Sequence, residues 1–128
     1  SYDNHIPIFM AGKELRKRVM GIVTDPTPLE DPKDPDTCTA FALFKLVAPP
    51  DEVAEMAAAY RRGGYGYGHA KQALYEKLEA HFAPMRERRA WLEAHPDEVE
   101  QALFEGAAKA RAVARATTDR ARKACGLC

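Results

Sequence analysis

Between residues 61 and 71 the chain reads Arg-Arg-Gly-Gly-Tyr-Gly-Tyr-Gly-His-Ala-Lys. Four glycines in six residues cannot sit inside a helix without costing about 1 kcal/mol each relative to alanine, so a helical chain must turn here. Arginines and a lysine flank the turn, and two tyrosines lie in it. That composition suits a surface that meets a polyanion or an ordinary tight connection between two helices, and turn chemistry alone favours the connection.

The rest of the chain reads as helix punctuated by proline. Residues 1–9 are polar, then apolar around Pro7, with no helical period, and read as an extended lead-in. From about Gly12, Leu15, Val19, Met20, Ile22 and Val23 recur at helical spacing with Lys13, Arg16, Lys17 and Arg18 between them, which predicts a short basic amphipathic helix. Thr24 to Pro35 holds four prolines, each forcing its predecessor out of the α region, so this acidic stretch is a semi-extended connector. A helix is expected from the Asp36-Thr37 boundary, with Asp or Thr as cap, to Ala48-Pro49. Phe41, Leu43, Phe44, Leu46 and Val47 make it apolar nearly all round, the most buried helix, with Cys38 as packing. Pro50, Asp51 and Glu52 open the next, whose inner face is Val53, Met56, Ala57 and Tyr60.

Beyond the turn, Ala70 to about Ala94 predicts either one long helix kinked at Pro84 or two helices meeting at Phe82-Ala83. A final helix runs from Pro96 to about Ala124. Its small-residue face, Leu103, Ala107, Ala110, Ala114, Thr117, Ala121 and Ala124, suits close approach of a neighbour, and Arg111, Arg115 and Arg122 fall within about 40° of one another on the opposite side. Strand signals are nearly absent. The fold class is all-α, an antiparallel bundle of about five helices.

The 128 residues carry 19 basic and 19 acidic side chains, so no global field points to nucleic acid. The distribution is uneven: residues 1–60 hold six Lys/Arg against ten Asp/Glu, and residues 61–128 hold thirteen against nine. A polyanion-binding face should therefore draw on the second half. Three cysteines, no signal peptide and no apolar run near the roughly 18 residues of a membrane span give the expectation of a cytoplasmic, reduced protein. Cys125 and Cys128 have C-x-x-C spacing without a second ligand pair, and His5, His69, His81 and His95 show no metal-binding spacing. Serine occurs only at Ser1, and the glycine turn lacks P-loop spacing. These residues describe a helical binding module without an active site of its own, with RNA as its best candidate ligand.

Three blocks carry a resemblance. Ser1-Tyr2-Asp3-Asn4-His5-Ile6-Pro7-Ile8-Phe9 resembles the segment just after the K-M-S-K signature of bacterial tryptophanyl-tRNA synthetases, with Ser1 as the last residue of K-M-S-K-S. Leu15 to Glu30 is similar to the next helix of that family and its T-D-S/P-T-P connector. Gly66 to Lys71, Ala83 to Arg88, Glu105 to Arg111 and the Gly126-Leu127 end resemble that family's helical C-terminal domain.

The resemblance implies aminoacylation of tRNA(Trp) with tryptophan and ATP-Mg²⁺ by a parent enzyme that is a class I synthetase and a homodimer. The chemistry would sit in a Rossmann-like domain whose H-I-G-H-type motif and signature lysines are not in this chain. Only Ser1 carries over from the ATP loop, so this portion alone is expected to bind no cofactor, to be inactive and to be monomeric, with tRNA rather than DNA or membrane as partner. Residues 1–12 would be the exit of the ATP-binding loop, 13–36 a helix and connector, and 37–128 the anticodon-binding domain. An anticodon module needs planes on which splayed bases stack and cations for the backbone. Residue type and position nominate Arg61, Arg62, Tyr65, Tyr67 and Lys71 at the turn, and Arg86, Arg88, Arg111 and Arg115 on the helices. Alternatives stand beside each of these: one or both of Tyr65 and Tyr67 plug the bundle end, Arg86 and Arg88 pair with nearby glutamates, or the chain is a protein-interaction module of a paralogue without tRNA charging.

Overall fold

The computed structural model describes residues 4–127, and Ser1 and Cys128 lie outside them. The described residues form five α-helices and one 3-10 turn: α1 Gly12–Met20, the 3-10 turn Pro35–Thr37, α2 Thr39–Val47, α3 Pro50–Arg62, α4 Tyr67–Ala94 and α5 Pro96–Ala124. The chain divides into two compact units at Arg86/Glu87.

In the first unit several helix boundaries have a local cause. Glu14 lies in the first turn of α1 and Lys17 and Arg18 in its last, the arrangement that complements the helix dipole. Pro49 precedes α3 and Pro50 occupies its first turn with Asp51 and Glu52. At its other end Gly63, at φ 81°, takes a conformation that side chains with a Cβ avoid. The expected cap of α2 is displaced. Asp36 and Thr37 belong to the 3-10 turn, where Asp34 Oδ1 accepts the Asp36 N–H at 3.0 Å, and α2 begins after Cys38 with no side-chain cap.

The core of this unit is drawn from all four of its helices: Leu15 and Val19, then Ala40, Phe41 and Phe44, then Met56 and Tyr60, then Ala70, Leu74 and Leu78. Tyr60 is fully buried, its ring 5.7 Å from that of Phe41 and its hydroxyl 3.3 Å from Cys38 Sγ. Cys38 is packing, as its surroundings in the sequence suggest. The all-round apolar reading of α2 goes too far, because Leu46 is 75 % exposed.

Along α4 the helix is continuous through Pro84. A proline there withholds the N–H that the Ala80 carbonyl would accept. Beside that interruption the Glu79 carbonyl accepts a hydrogen bond from Arg86 Nη2 at 2.6 Å.

The second unit contains the end of α4, the His95 junction and α5. His95 stacks on Trp91 with ring centroids 4.3 Å apart and planes 17° apart, and its Nδ1 donates to the Trp91 carbonyl at 2.7 Å. Arg89 and Glu93 pair one turn apart at 2.7 Å. No residue of α5 is buried, so its small-residue face has no neighbour packed on it among the described residues.

Candidate nucleic-acid interface

The 63–66 turn is held by the proline-rich connector. After α1 the connector begins with a local turn, in which Asp25 Oδ1 accepts the Thr27 N–H at 2.8 Å. The connector then returns to the end of α3, where the Lys33 N–H donates to the Tyr60 carbonyl at 2.8 Å and the Gly64 N–H donates to the Leu29 carbonyl at 3.0 Å. Between these two bonds the chains touch: a Cβ on Gly63 would lie 2.4 Å from the Glu30 carbonyl oxygen.

Lys33 closes this arrangement from inside. Only 4 % exposed, its ammonium donates to the carbonyls of Pro28 at 2.7 Å, Leu29 at 3.0 Å and Asp31 at 3.0 Å. Three donors meet three acceptors, which is what makes burial of the amine tolerable. The amine also lies 5.6 Å from the Tyr67 ring centroid. Tyr67 in turn donates its hydroxyl to Asp25 Oδ2 at 2.5 Å. Hydrogen bonds from Thr27 and Tyr67 hold the Asp25 carboxyl down at about 2, and burial together with the Asp25 bond pushes the Tyr67 phenol up to about 12.

The nominated residues take different places around this turn. Arg61 and Arg62 are exposed in the last turn of α3, and Arg61 makes a long surface ion pair with Asp36 at 3.9 Å. Tyr65 is half-buried, with ring centroids 5.5 Å from Tyr60 and 5.9 Å from His69, and burial pushes its phenol up. Tyr67 packs edge-on to Tyr60 at 5.9 Å. Lys71 donates to the Met20 carbonyl at 3.2 Å, closing the C-terminus of α1. Arg86 is largely enclosed. Besides its bond to the Glu79 carbonyl it meets Glu79 Oε1 at 3.0 Å and the Met10 carbonyl at 3.4 Å, about 28 Å along α4 from Tyr67.

In the second unit, Arg88 stacks on Trp91 at 4.2 Å instead of pairing with a glutamate. Arg111 and Arg115 are exposed on α5. Within the first unit Tyr65 and Tyr67 thus both pack against Tyr60, the residue just before the exposed Arg61 and Arg62, with Lys71 one turn on from Tyr67 and Arg86 set apart. Sequence reasoning missed Lys33 and Asp25. Asp25-Pro26-Thr27 carries a local-turn signature that could have been read. Lys33, the one base of an acidic connector, announces itself only by that contrast.

Among the described residues no group of three or more His, Cys, Asp or Glu converges as metal ligands would. Among them, too, no helix is long and apolar enough to cross a membrane.

No protein-family model matches the chain. It is 51 % identical over 127 residues to tryptophan–tRNA ligase of Rhodopirellula baltica, covering 99 % of this chain and 40 % of that protein. To tryptophan–tRNA ligase of Fusobacterium nucleatum it is 41 % identical, covering 99 % of this chain and 39 % of that one. The crystal structure of tryptophanyl-tRNA synthetase from Campylobacter jejuni, complexed with ADP and tryptophan, superposes with a TM-score of 0.85 at 39 % identity, covering 98 % of this chain and 40 % of that one. The chain spans about 40 % of the length of the relatives it matches. With identity this high along its whole length and a helical fold that coincides with a solved synthetase, the chain matches the C-terminal part of the tryptophan–tRNA ligases.

Proposed function

We propose that this chain is the tRNA-contacting portion of a tryptophan–tRNA ligase, and that the whole protein uses ATP and Mg²⁺ to attach tryptophan to tRNA(Trp). The residues here fit neither ATP nor the metal, since the signature lysines are not among them and no carboxylate cluster converges among the described residues, so no step of the activation chemistry is assigned to them. Ser1, nominated as the remnant of the ATP loop, lies outside the described residues. Their work is binding. Residues 13–36 act as helix and connector, and 37–128 as the RNA-binding part. The whole protein works in the cytoplasm as a homodimer, while this portion alone is monomeric and inactive.

One observation carries the reading. Two adjacent exposed arginines, Arg61 and Arg62, end the helix that leads into a turn whose backbone is fixed on both sides. Such a surface offers guanidinium planes and charge to an unpaired loop of RNA without having to order itself first.

The test is binding of the chain to a tRNA(Trp) anticodon stem-loop, with a scrambled-anticodon loop as control, at two salt concentrations. Salt-sensitive binding that prefers the matched loop is the expected result. Equal binding to both loops would reduce the interface to electrostatics. Binding to neither would favour the protein-interaction reading.

A further inference from the structure

We infer that Lys33 is a positioning residue for RNA binding. Buried inside the connector, it fixes the geometry in which Arg61 and Arg62 are presented and touches no RNA itself. This rests on the reading of the turn as the RNA-contacting surface.

A basic residue in an RNA-binding domain is ordinarily assigned to a phosphate. Lys33 cannot serve one, because its amine is enclosed and each of its three N–H donors already has a carbonyl. Those carbonyls belong to Pro28, Leu29 and Asp31, so the amine gathers one short loop around itself. The edges of that loop are what meet the turn. Lys33's own N–H bonds to Tyr60, the residue before Arg61, and the Leu29 carbonyl receives the N–H of Gly64, two residues after Arg62. The two arginines are thus bracketed by two backbone bonds to a loop gathered around one amine.

Gly63 makes the fit close, with the connector backbone occupying the space of a side chain. The Tyr67–Asp25 bond closes the arrangement on its exposed side. Fixing the arginines before RNA arrives removes an ordering cost from binding. Neither methionine nor arginine reproduces the lysine: methionine takes one donor away from each of three carbonyls, and a planar guanidinium does not match a cage built for a compact ammonium.

The experiment measures tRNA(Trp) affinity of the 128-residue chain, with amide exchange at Gly64 and in α4 as a second readout. The variants are Lys33→Met, Lys33→Arg, the Arg61→Ala/Arg62→Ala double and the triple that adds Lys33→Met. Lys33→Met should weaken binding about five- to tenfold and speed exchange at Gly64 while the Leu74 and Leu78 amides stay protected. Lys33→Arg should not restore binding. In the Arg61→Ala/Arg62→Ala background, Lys33→Met should cost less than about twofold more, because its effect runs through the arginines already removed.

Wild-type affinity in Lys33→Met despite faster Gly64 exchange would overturn the inference. So would full binding by Lys33→Arg, which marks a phosphate contact, or losses that multiply in the triple variant. Wild-type affinity in the Arg61→Ala/Arg62→Ala double would instead remove the turn as the RNA site. If Lys33→Met fails to fold, Asp25→Ala opens the same arrangement from its exposed side, with the same non-additivity expected.

Discussion

Gly63 and Gly64 are neighbours with nearly the same φ, 81° and 73°, yet they should respond differently to alanine. At Gly64 nothing lies within 4 Å of the added carbon, and the cost is the conformational one of about 1 kcal/mol. At Gly63 the carbon meets the Glu30 carbonyl at 2.4 Å and the connector must move away, so Gly63→Ala should cost roughly 2–4 kcal/mol in urea denaturation. Equal costs would mean that the connector yields freely. The Tyr67–Asp25 pair predicts a pH dependence with two edges. The carboxyl is held below its ordinary value, so its contribution is present above about 4 and is lost as pH falls toward about 2. The phenol is raised, so its contribution is present below about 10 and is lost as pH climbs to about 12. Tyr67→Phe should shrink both edges of the stability–pH curve, and a profile identical to wild type would refute the coupling.

Helices α1 to α4 share a core, and truncating its centre should be expensive. Leu74→Ala, at a fully buried position, should lose about 2–5 kcal/mol by chemical denaturation monitored by far-UV circular dichroism. Helix α5 sits at the other extreme. With no buried residue it should be the least protected element, and limited trypsin digestion should cut at its arginines and lysines before it cuts α1 or α3. Early cleavage in α3 would show that the turn is less firmly held than its hydrogen bonds imply. The helices themselves were legible in the sequence, because the 3.6-residue period, Pro50, Pro96 and the glycine turn are local signals. Three things were not. The cap of α2 shifted because Asp34 captured Asp36 in a 3-10 turn, a contest among neighbouring polar groups that residue type alone does not decide. The connector's return to α3 depends on contacts between residues about 30 apart in the chain. For α5, periodicity marks an apolar stripe without saying whether anything covers it.

Charge acts at the scale of the whole molecule. The chain is formally neutral, so attraction to RNA must come from local clusters, and the salt dependence of binding should count the cations in contact. Removing Arg61 and Arg62 together should lower the slope of log K against log salt by roughly 1–2, whereas Lys33→Met removes no contact of its own. Part of the candidate site was legible in the same way. Arginines and tyrosines at a glycine turn can be read from the sequence, but the roles Lys71 and Arg86 take on backbone carbonyls at Met20, Met10 and Glu79 appear only when the chain is folded. The Arg88–Trp91–His95 stack has a spectroscopic consequence. Trp91 is the chain's single indole and belongs to the second unit, while the shared core is built around Tyr60. Emission excited at the red edge of the near-ultraviolet band therefore watches a guanidinium and an imidazole leave one ring. A melt followed that way can finish, or not begin, while the core is still intact.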